Sequence, residues 1–288
     1  MIDETAPTSG KAVLITGGTD GIGKATAQKL LAAGWEVVIV GRSASRCVST
    51  VEELKTATGH PAISSIVADL SLLAEARRAC DEFLAEHQSL DFLFLNANAI
   101  SQKRTLTAEG FESNLALGYL SRALLAQALE GALATASRAQ VLAVVGLNKE
   151  RLDFDDLTME REFSGMKALG RWQWAMQVYA REFNARSPVP MNIYMPGIVK
   201  TKILDSEPSL IARTMIKAVY AVKAASVEDS AGYVLGVMND VEENRRRDCY
   251  YSVKTLKPRR DLGELASDQQ DLWVLTEGLL MPYLSGDE

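Results

Sequence analysis

Short apolar runs alternate along the chain with longer segments in which apolar residues recur at helical spacing. The apolar runs are AVLITG, EVVIVG, ISSIVAD, DFLFLNA, QVLAVVG and MNIYMPG, which begin at residues 12, 36, 63, 91, 140 and 191. Short runs rich in Val, Ile and Leu are typical of parallel strands that are buried on both faces, with helices crossing over between them. The pattern therefore predicts a doubly wound α/β fold with a parallel sheet.

The alternation continues without an internal repeat, a low-complexity segment or a Pro/Gly-rich linker. We therefore expect a single domain over residues 11–288, preceded by a flexible tail at residues 1–10. After the sixth run the alternation stops at KILDSEPSLIARTMIKAVYAVKAAS. We interpret residues of about 202–226 as a helical flap over the crevice at the strand ends, where open α/β sheets bind their ligands.

Composition and charge narrow the class of partner. The chain has 31 basic and 37 acidic residues and a net charge of −6, so no basic patch indicates nucleic acid. No run of 18 apolar residues predicts a membrane span, and the opening MIDETAPTSG lacks the apolar core of an export signal. We expect a cytoplasmic protein with a small-molecule partner, without nucleic acid or membrane.

The cysteines and histidines supply little catalytic or metal-binding chemistry. Cys47, Cys80 and Cys249 are odd in number and scattered, which favours buried free thiols over disulfides. His60 and His87 are the only histidines, and we interpret both as surface residues. The sequence therefore predicts no metal site.

The first run leads into a glycine-rich turn and a helix, KAVLITGGTDGIGKATAQKLLAAG. Gly17 permits a sharp turn, Gly21 lets the backbone approach a pyrophosphate, and Gly23 allows close helix packing. The free N–H groups at the helix start would bind the phosphates. Three more residues of the turn complete this expected dinucleotide site: Thr19, Asp20 and Ile22.

The end of the second run bears on which dinucleotide binds. An NAD-selective site carries an acidic residue about twenty positions after the glycines, but the chain has Gly41 and then Arg42 there. Arg42, helped by Ser43 and Arg46, could accept the 2′-phosphate of NADPH. The competing interpretation is that Arg42 is an ordinary solvated loop residue.

Several motifs resemble those of the short-chain dehydrogenase/reductase family. They are TGGTDGIG, VADLS, LDFLFLNANAI, ESNLALGYL and MNIYMPGIVKT, although Asn98 replaces the glycine of the family's NNAG motif. The resemblance implies a Rossmann fold and, as one assembly, a homodimer. It also implies a helix Asn near the nicotinamide, Asn114, and further cofactor-binding residues: Asp69, Leu70, Asn96, Ala97, Pro196, Gly197, Ile198 and Thr201.

The family's catalytic Ser, Tyr and Lys are missing from the expected places. After the fifth run the chain reads Gly146 and Leu147, and no Ser occurs between Ser137 and Ser164. Two registers compete for the Tyr and Lys positions, and neither restores the Tyr. One uses Phe163 with Lys167; the other, favoured by the likeness to the retinol-dehydrogenase-like branch, uses Leu169 with Gln173.

A reductase without its Tyr acid can still work if positioning is retained. A general acid contributes about 10² to 10⁴-fold, whereas holding the reactants in near-attack geometry supplies about 7 to 11 kcal/mol. The chain resembles the atypical ketoreductases of angucyclinone tailoring, of the simocyclinone type. We therefore expect an NADPH-dependent ketoreductase in antibiotic biosynthesis that acts on a polycyclic aromatic ketone.

The sequence leaves the source of the proton open. A phenol of the substrate beside the ketone, water, Lys167 or Tyr194 are the candidates. Two other functions compete with the reductase: a non-catalytic NADPH-binding regulator that senses redox state, and an enzyme that uses the same crevice for elimination or cyclisation.

The NADPH preference is tested by Arg42→Asp. A carboxylate at this position repels the 2′-phosphate, so NADPH affinity should fall by about tenfold or more relative to NADH. Titration of both cofactors by fluorescence measures the ratio. An unaltered ratio contradicts the role given to Arg42.

Overall fold

The sheet has seven parallel strands in the order β3-β2-β1-β4-β5-β6-β7. The computed structural model describes residues 10–146, 150–197, 225–253 and 268–285. All six predicted strands are confirmed, together with the doubly wound Rossmann fold. The strands are β1 (Ala12–Thr16), β2 (Glu36–Gly41), β3 (Ile63–Val67), β4 (Phe92–Leu95), β5 (Gln140–Val144), β6 (Met191–Met195) and β7 (Tyr250–Ser252).

Helices cover both faces of this sheet. Helices α1, α2 and α8 pack on one face, and α3, α5, α7 and α9 pack on the other. Their bounds are α1 (Gly21–Ala32), α2 (Ala44–Thr58), α3 (Leu73–Glu86), α4 (Ser113–Leu115), α5 (Ser121–Ala128), α6 (Glu130–Thr135), α7 (Gly165–Arg186), α8 (Val227–Asn244) and α9 (Gln269–Leu284).

Alternate residues of each strand supply the two cores. In β1, Val13 and Ile15 pack toward α1 and α8, whereas Leu14 packs toward the α3 side, and all three are fully buried. Because strands in a covered parallel sheet bury both faces, most of their positions are apolar, whereas the edge strand β3 also carries the exposed Ser64 and the half-buried Ser65. Full burial of each such side chain contributes about 1.5–3 kcal/mol, which explains the continuous apolar runs.

Residues 113–134, SNLALGYLSRALLAQALEGALA, have apolar residues at helical spacing but do not form one continuous helix. The first turn, α4, is followed by a π-helical turn at Ala116–Leu120, and Leu129 separates α5 from α6. The π turn brings Gly118 against the ring of Trp172 on α7, where a Cβ would lie 2.4 Å from the ring. Tertiary packing, which local periodicity cannot register, accounts for this departure from a regular helix.

The histidines and cysteines lie mostly in the interior of the protein. His60 is buried, and His87 is largely buried against Phe83 and pairs with Glu36, so the expectation of surface histidines is wrong. The three cysteines are buried and unbridged, as predicted. Within the described ranges, no helix combines the length and apolar character needed to cross a bilayer.

Two predicted features fall almost entirely outside the described residues. Of the tail at residues 1–10, only Gly10 is described, and of the flap at about 202–226, only residues 225 and 226. The tail, the flap and the single-domain division therefore stay predictions.

Helix α9 is fixed to the α3 face by a buried hydrogen bond. The hydroxyl of Tyr119, in the π turn, lies 2.5 Å from that of Thr276, which also donates to the Leu272 carbonyl. Burial raises the pKa of the Tyr119 phenol, which therefore stays protonated. This bond ties α9 to the π turn that directly follows α4, the helix that carries Asn114.

Thr276→Val should lower the free energy of unfolding by about 1–3 kcal/mol, because Tyr119 loses its buried partner while the side-chain shape is kept. Thr276→Ser keeps the hydroxyl and serves as the control. Urea unfolding of both variants gives the comparison. A smaller loss in the Val variant than in the Ser variant would show that the methyl group, and not the hydrogen bond, matters.

Candidate active site

The glycine turn after β1 has the geometry that a pyrophosphate cradle requires. Gly17 has φ +66° and Gly21 has φ +54°, conformations that favour glycine. A Cβ at Gly23 would lie 2.4 Å from the Gly17 carbonyl oxygen. The Asp20 carboxylate accepts a hydrogen bond from the Gly21 N–H at 2.8 Å, capping α1. The turn and the helix start are therefore in close backbone contact.

The end of β4 packs directly against this turn. The Asn96 side-chain amide donates to the carbonyls of Thr16 and Gly17, each at 3.2 Å. The Thr16 hydroxyl accepts from the backbone N–H groups of Asn96 and Ala97 at 2.9 and 3.0 Å. Strand order reverses between β1 and β4, and open α/β sheets bind ligands at such a point. The structure therefore brings Gly17, Asn96 and Ala97 together there.

The end of β2 adjoins the same turn. A Cβ at Gly41 would lie 2.6 Å from the Thr19 side chain, so a larger residue would displace it. Ser43 caps α2, its hydroxyl accepting from the Arg46 N–H at 3.4 Å. Arg42 and Arg46 are exposed, and no carboxylate in the described part of the chain pairs with either. Two cations and a helix N-terminus thus face solvent beside the glycine turn.

Four of the remaining predicted cofactor residues lie at the ends of β3 and β6. Asp69 is held by Ser71, whose N–H and hydroxyl both donate to its carboxylate, and Leu70 is buried. Pro196 and Gly197 follow β6 directly, and Gly197 has φ +65°. Ile198 and Thr201 lie outside the described residues.

Asn114 is buried, and its side chain is fully engaged. Its carbonyl oxygen accepts from the Ser101 N–H at 2.7 Å, and its amide donates to Glu112 at 2.8 Å and to the Ser101 carbonyl at 3.3 Å. The Glu112 carboxylate also caps α4 through the N–H groups of Asn114 and Leu115. These contacts fix the loop after β4 to α4, and a catalytic role for Asn114 stays a prediction.

The geometry of α7 supports the second of the two registers. Phe163 precedes the helix, which begins at Gly165, whereas Leu169 and Gln173 lie one turn apart within it. A Cβ at Gly146 would lie 2.8–3.0 Å from the Gln173 amide group. Gln177, one turn further, donates to the Gly146 carbonyl at 3.3 Å. Gln173 is therefore the side chain that α7 places against the end of β5.

The two residues considered as alternative proton donors lie elsewhere. Lys167 is in the first turn of α7, 40% exposed, and its ammonium contacts Glu162 at 2.7 Å. Tyr194 is fully buried in β6, and its hydroxyl donates to the Ser230 carbonyl on α8. Burial raises the pKa of the Tyr194 phenol. Lys167 stays a candidate donor that the structure does not bring to Gly146.

The sequence-based prediction missed Arg122 on α5, whose guanidinium lies behind the strand ends. It donates to the Val144 and Ala97 carbonyls, both at 2.7 Å, and stacks on Trp172 at 5.0 Å. A signal was present in GYLSRALLAQ, because a helix that is apolar almost all round is buried, and its single Arg is buried with it.

Comparisons with known proteins agree with the fold. Residues 11–159 match the family described as short chain dehydrogenase. The chain is 33% identical over 196 residues to "Putative daunorubicin C-13 ketoreductase DnrU" from Streptomyces sp. (strain C5), covering 67% of this chain and 68% of that protein. It is 30% identical over 200 residues to human retinol dehydrogenase 12, covering 68% of this chain and 63% of that protein. The match thus spans under two thirds of the latter's length.

Solved structures show the same fold. An alcohol dehydrogenase from Thermococcus sibiricus, complexed with 5-hydroxy-NADP, has a TM-score of 0.65 at 19% identity, covering 88% of this chain and 99% of that one. A short-chain dehydrogenase from Sphingobium yanoikuyae, in complex with NADPH, has a TM-score of 0.62 at 18% identity and covers 96% of both chains.

Gly23→Ala tests the contact on which the cradle depends. The added Cβ meets a backbone oxygen that cannot rotate away, so the variant should lose about 1–3 kcal/mol of unfolding free energy and bind dinucleotide at least about tenfold more weakly. Gly131→Ala is the matched control, because nothing lies within 4 Å of its Cβ position in α6. Urea unfolding and cofactor titration measure both. Equal behaviour of the two variants would contradict the close contact.

Proposed function

The chain belongs to the short-chain dehydrogenase family, and from that premise we propose that it is an NADPH-dependent ketoreductase of polycyclic aromatic substrates. In this proposal the substrate, and not a Tyr of the enzyme, supplies the proton. Antibiotic biosynthesis is the proposed setting. The observation that carries the proposal is the contact between Gln173 and Gly146 at the end of β5.

The glycine turn and the α2 N-terminus fit NADPH. Gly23 packs closely against the Gly17 backbone, and the Asn96 side-chain amide donates to the Gly17 carbonyl, so the turn is held at the start of α1, whose free N–H groups would bind a pyrophosphate. Arg42 and Ser43 would hold the 2′-phosphate. The Thermococcus and Sphingobium structures contain NADP-type cofactors, which supports this choice. When bound, NADPH supplies the hydride equivalent.

Among the described residues, the two α7 side chains that contact Gly146, just beyond the end of β5, do not release a proton. Gln173 and Gln177 carry amides, which donate hydrogen bonds but do not ionise near neutral pH. Leu169, one turn before Gln173, is apolar and packs against the core. An amide can still orient a ketone by hydrogen bonding to its oxygen, so Gln173 is suited to positioning the substrate and not to acid catalysis.

A proton donor within the substrate solves this difficulty. A ketone flanked by a phenol, as in aromatic polyketides, already carries a hydrogen bond to its carbonyl oxygen. That phenol can protonate the oxygen as the carbon is reduced, and the resulting phenolate recovers a proton from water. The name of the Streptomyces relative, which refers to a daunorubicin ketoreductase, supports a polyketide substrate.

The sizes of the two contributions to the rate are consistent with a reductase that lacks an acid of its own. A general acid contributes about 10² to 10⁴-fold, which is about 3 to 5.5 kcal/mol. Positioning supplies about 7 to 11 kcal/mol. The enzyme's contribution would therefore be binding and orientation, and the smaller acid term would come from the substrate.

The function is tested with NADPH carrying deuterium at C4 and a panel of polycyclic ketones with a neighbouring phenol. We expect deuterium at the carbinol carbon of the product and matched NADPH consumption. Methylation of the phenol should lower kcat by about 100-fold or more, because the ether has no proton to give. Mass spectrometry and absorbance at the NADPH band measure both quantities.

Other outcomes identify the competing functions. Tight NADPH binding without turnover of any ketone would indicate a sensor, and product without cofactor oxidation would indicate elimination or cyclisation. Full activity on the methyl ether, together with loss of activity in Lys167→Ala, would show that Lys167 and not the phenol delivers the proton.

A further inference from the structure

Arg122 is a buried cation beside the ends of β4 and β5. Its side chain is 1% exposed and comes from α5, behind the strand ends. Two nitrogens of the guanidinium donate to the Ala97 and Val144 carbonyls. The third nitrogen, Nε, is buried without a hydrogen-bond partner. Long charged side chains rarely occupy such a position without a function for the charge.

The two carbonyls mark where β4 and β5 separate. The last residues that pair between β4 and β5 are Leu95 and Ala143, so Ala97 and Val144 lie just beyond this pairing, although Val144 still pairs with Tyr194 of β6. Ala97 touches the glycine turn, its Cα 2.9 Å from the Cβ position of Gly17. Val144 precedes Gly146, which contacts Gln173. The guanidinium therefore sits between the dinucleotide turn and the proposed substrate position.

No carboxylate neutralises this charge in the described part of the chain. The buried carboxylate of Glu112, which caps α4, accepts hydrogen bonds from the N–H groups of Asn114 and Leu115. On α7, Arg122 meets the ring of Trp172, and Arg171 is directed to Asp153. Burial lowers the pKa of the Arg122 guanidinium to about 9, so it remains mostly charged at neutral pH.

A fixed, buried cation stabilises negative charge that develops nearby without the cost of reorganising solvent. The backbone carbonyls and the Trp172 ring compensate the charge only in part, since both are neutral. An anion formed in the adjacent crevice would neutralise the rest of the Arg122 charge. A site with this property favours a substrate that becomes anionic during the reaction.

We propose that Arg122 is a positioning residue whose buried charge stabilises the oxyanion of a phenol-bearing ketone bound above the ends of β4 and β5. This inference rests on the proposed function and adds to it the source of electrostatic stabilisation. The phenolate left after proton transfer is the species that Arg122 favours. The two hydrogen bonds to Ala97 and Val144 fix the distance between charge and substrate.

The test measures the pKa of a bound phenol and needs no turnover. The probe is 1,8-dihydroxyanthraquinone, whose visible spectrum changes on ionisation, bound to the protein with NADP⁺. A unit charge within about 10 Å at an effective dielectric constant of about 20 shifts a pKa by about one unit. We therefore expect the bound pKa to rise by about one unit in Arg122→Gln and to stay near the wild-type value in Arg122→Lys.

Arg104→Gln is the matched control, because it also removes a cation near the crevice, but one that is exposed and paired with Glu160. It should leave the bound pKa unchanged. Equal bound pKa values in the wild type and Arg122→Gln would overturn the inference. So would equal shifts in the Lys and Gln variants, which would indicate that only the hydrogen-bond geometry matters.

Two further measurements keep the test decisive. If Arg122→Gln does not fold, the wild type alone is compared with free probe, and a bound pKa at or above the free value overturns the inference. Deuterium transfer by the wild type is scored separately. Transfer without any effect of Arg122 on the phenol overturns this inference alone, whereas a lowered phenol pKa without transfer contradicts the proposed function alone.

Discussion

The close junction of β1 and β4 is the constraint on which the rest of the site depends. The strand order reverses at this junction. The backbone carbonyls at the strand ends therefore need hydrogen-bond donors from outside the ladder. The Asn96 amide satisfies two of them, and the Thr16 hydroxyl accepts from two N–H groups in return. This exchange is sterically feasible because Gly17 and Gly23 leave room for the backbones.

A second set of glycines sets the position of α7. The Trp172 ring lies over Gly118, the Gln173 amide lies against Gly146, and Gly165 faces the side chain of Gln102. Each pair joins a large or polar side chain to a position without a Cβ, so α7 approaches three neighbouring elements closely. The helix α7, which carries Leu169 and Gln173, the pair of the favoured register, is therefore fixed by packing.

Buried polar groups connect these two regions. Arg122 satisfies one carbonyl at the end of β4 and one at the end of β5, and it stacks on Trp172 of α7. The charge and the hydrogen bonds of Arg122 therefore lie at the strand ends, beside the glycine contacts of α7. A neutral residue of similar length would leave two buried carbonyls unsatisfied.

The sequence by itself determined the fold class, a doubly wound α/β fold with a parallel sheet. It also determined the glycine-rich turn between β1 and α1. Both rest on local signals: apolar runs of strand length, and glycines at fixed spacing between a strand and a helix. It also showed that no Tyr stands between Tyr119 and Tyr179. These features depend on residue type and spacing alone, so they can be read without knowing how distant segments meet.

Only the tertiary structure showed that Gln173 of α7 lies against Gly146, that residues 113–134 are not one continuous helix, and that Arg122 and His60 are buried. Each outcome depends on contacts between segments far apart in the chain, such as Gly118 with Trp172 or Gly146 with Gln173. Hydrophobic periodicity reports which face of an element is buried, but not which neighbour it meets. The identity of that neighbour decides whether a polar side chain is a surface residue or part of the site.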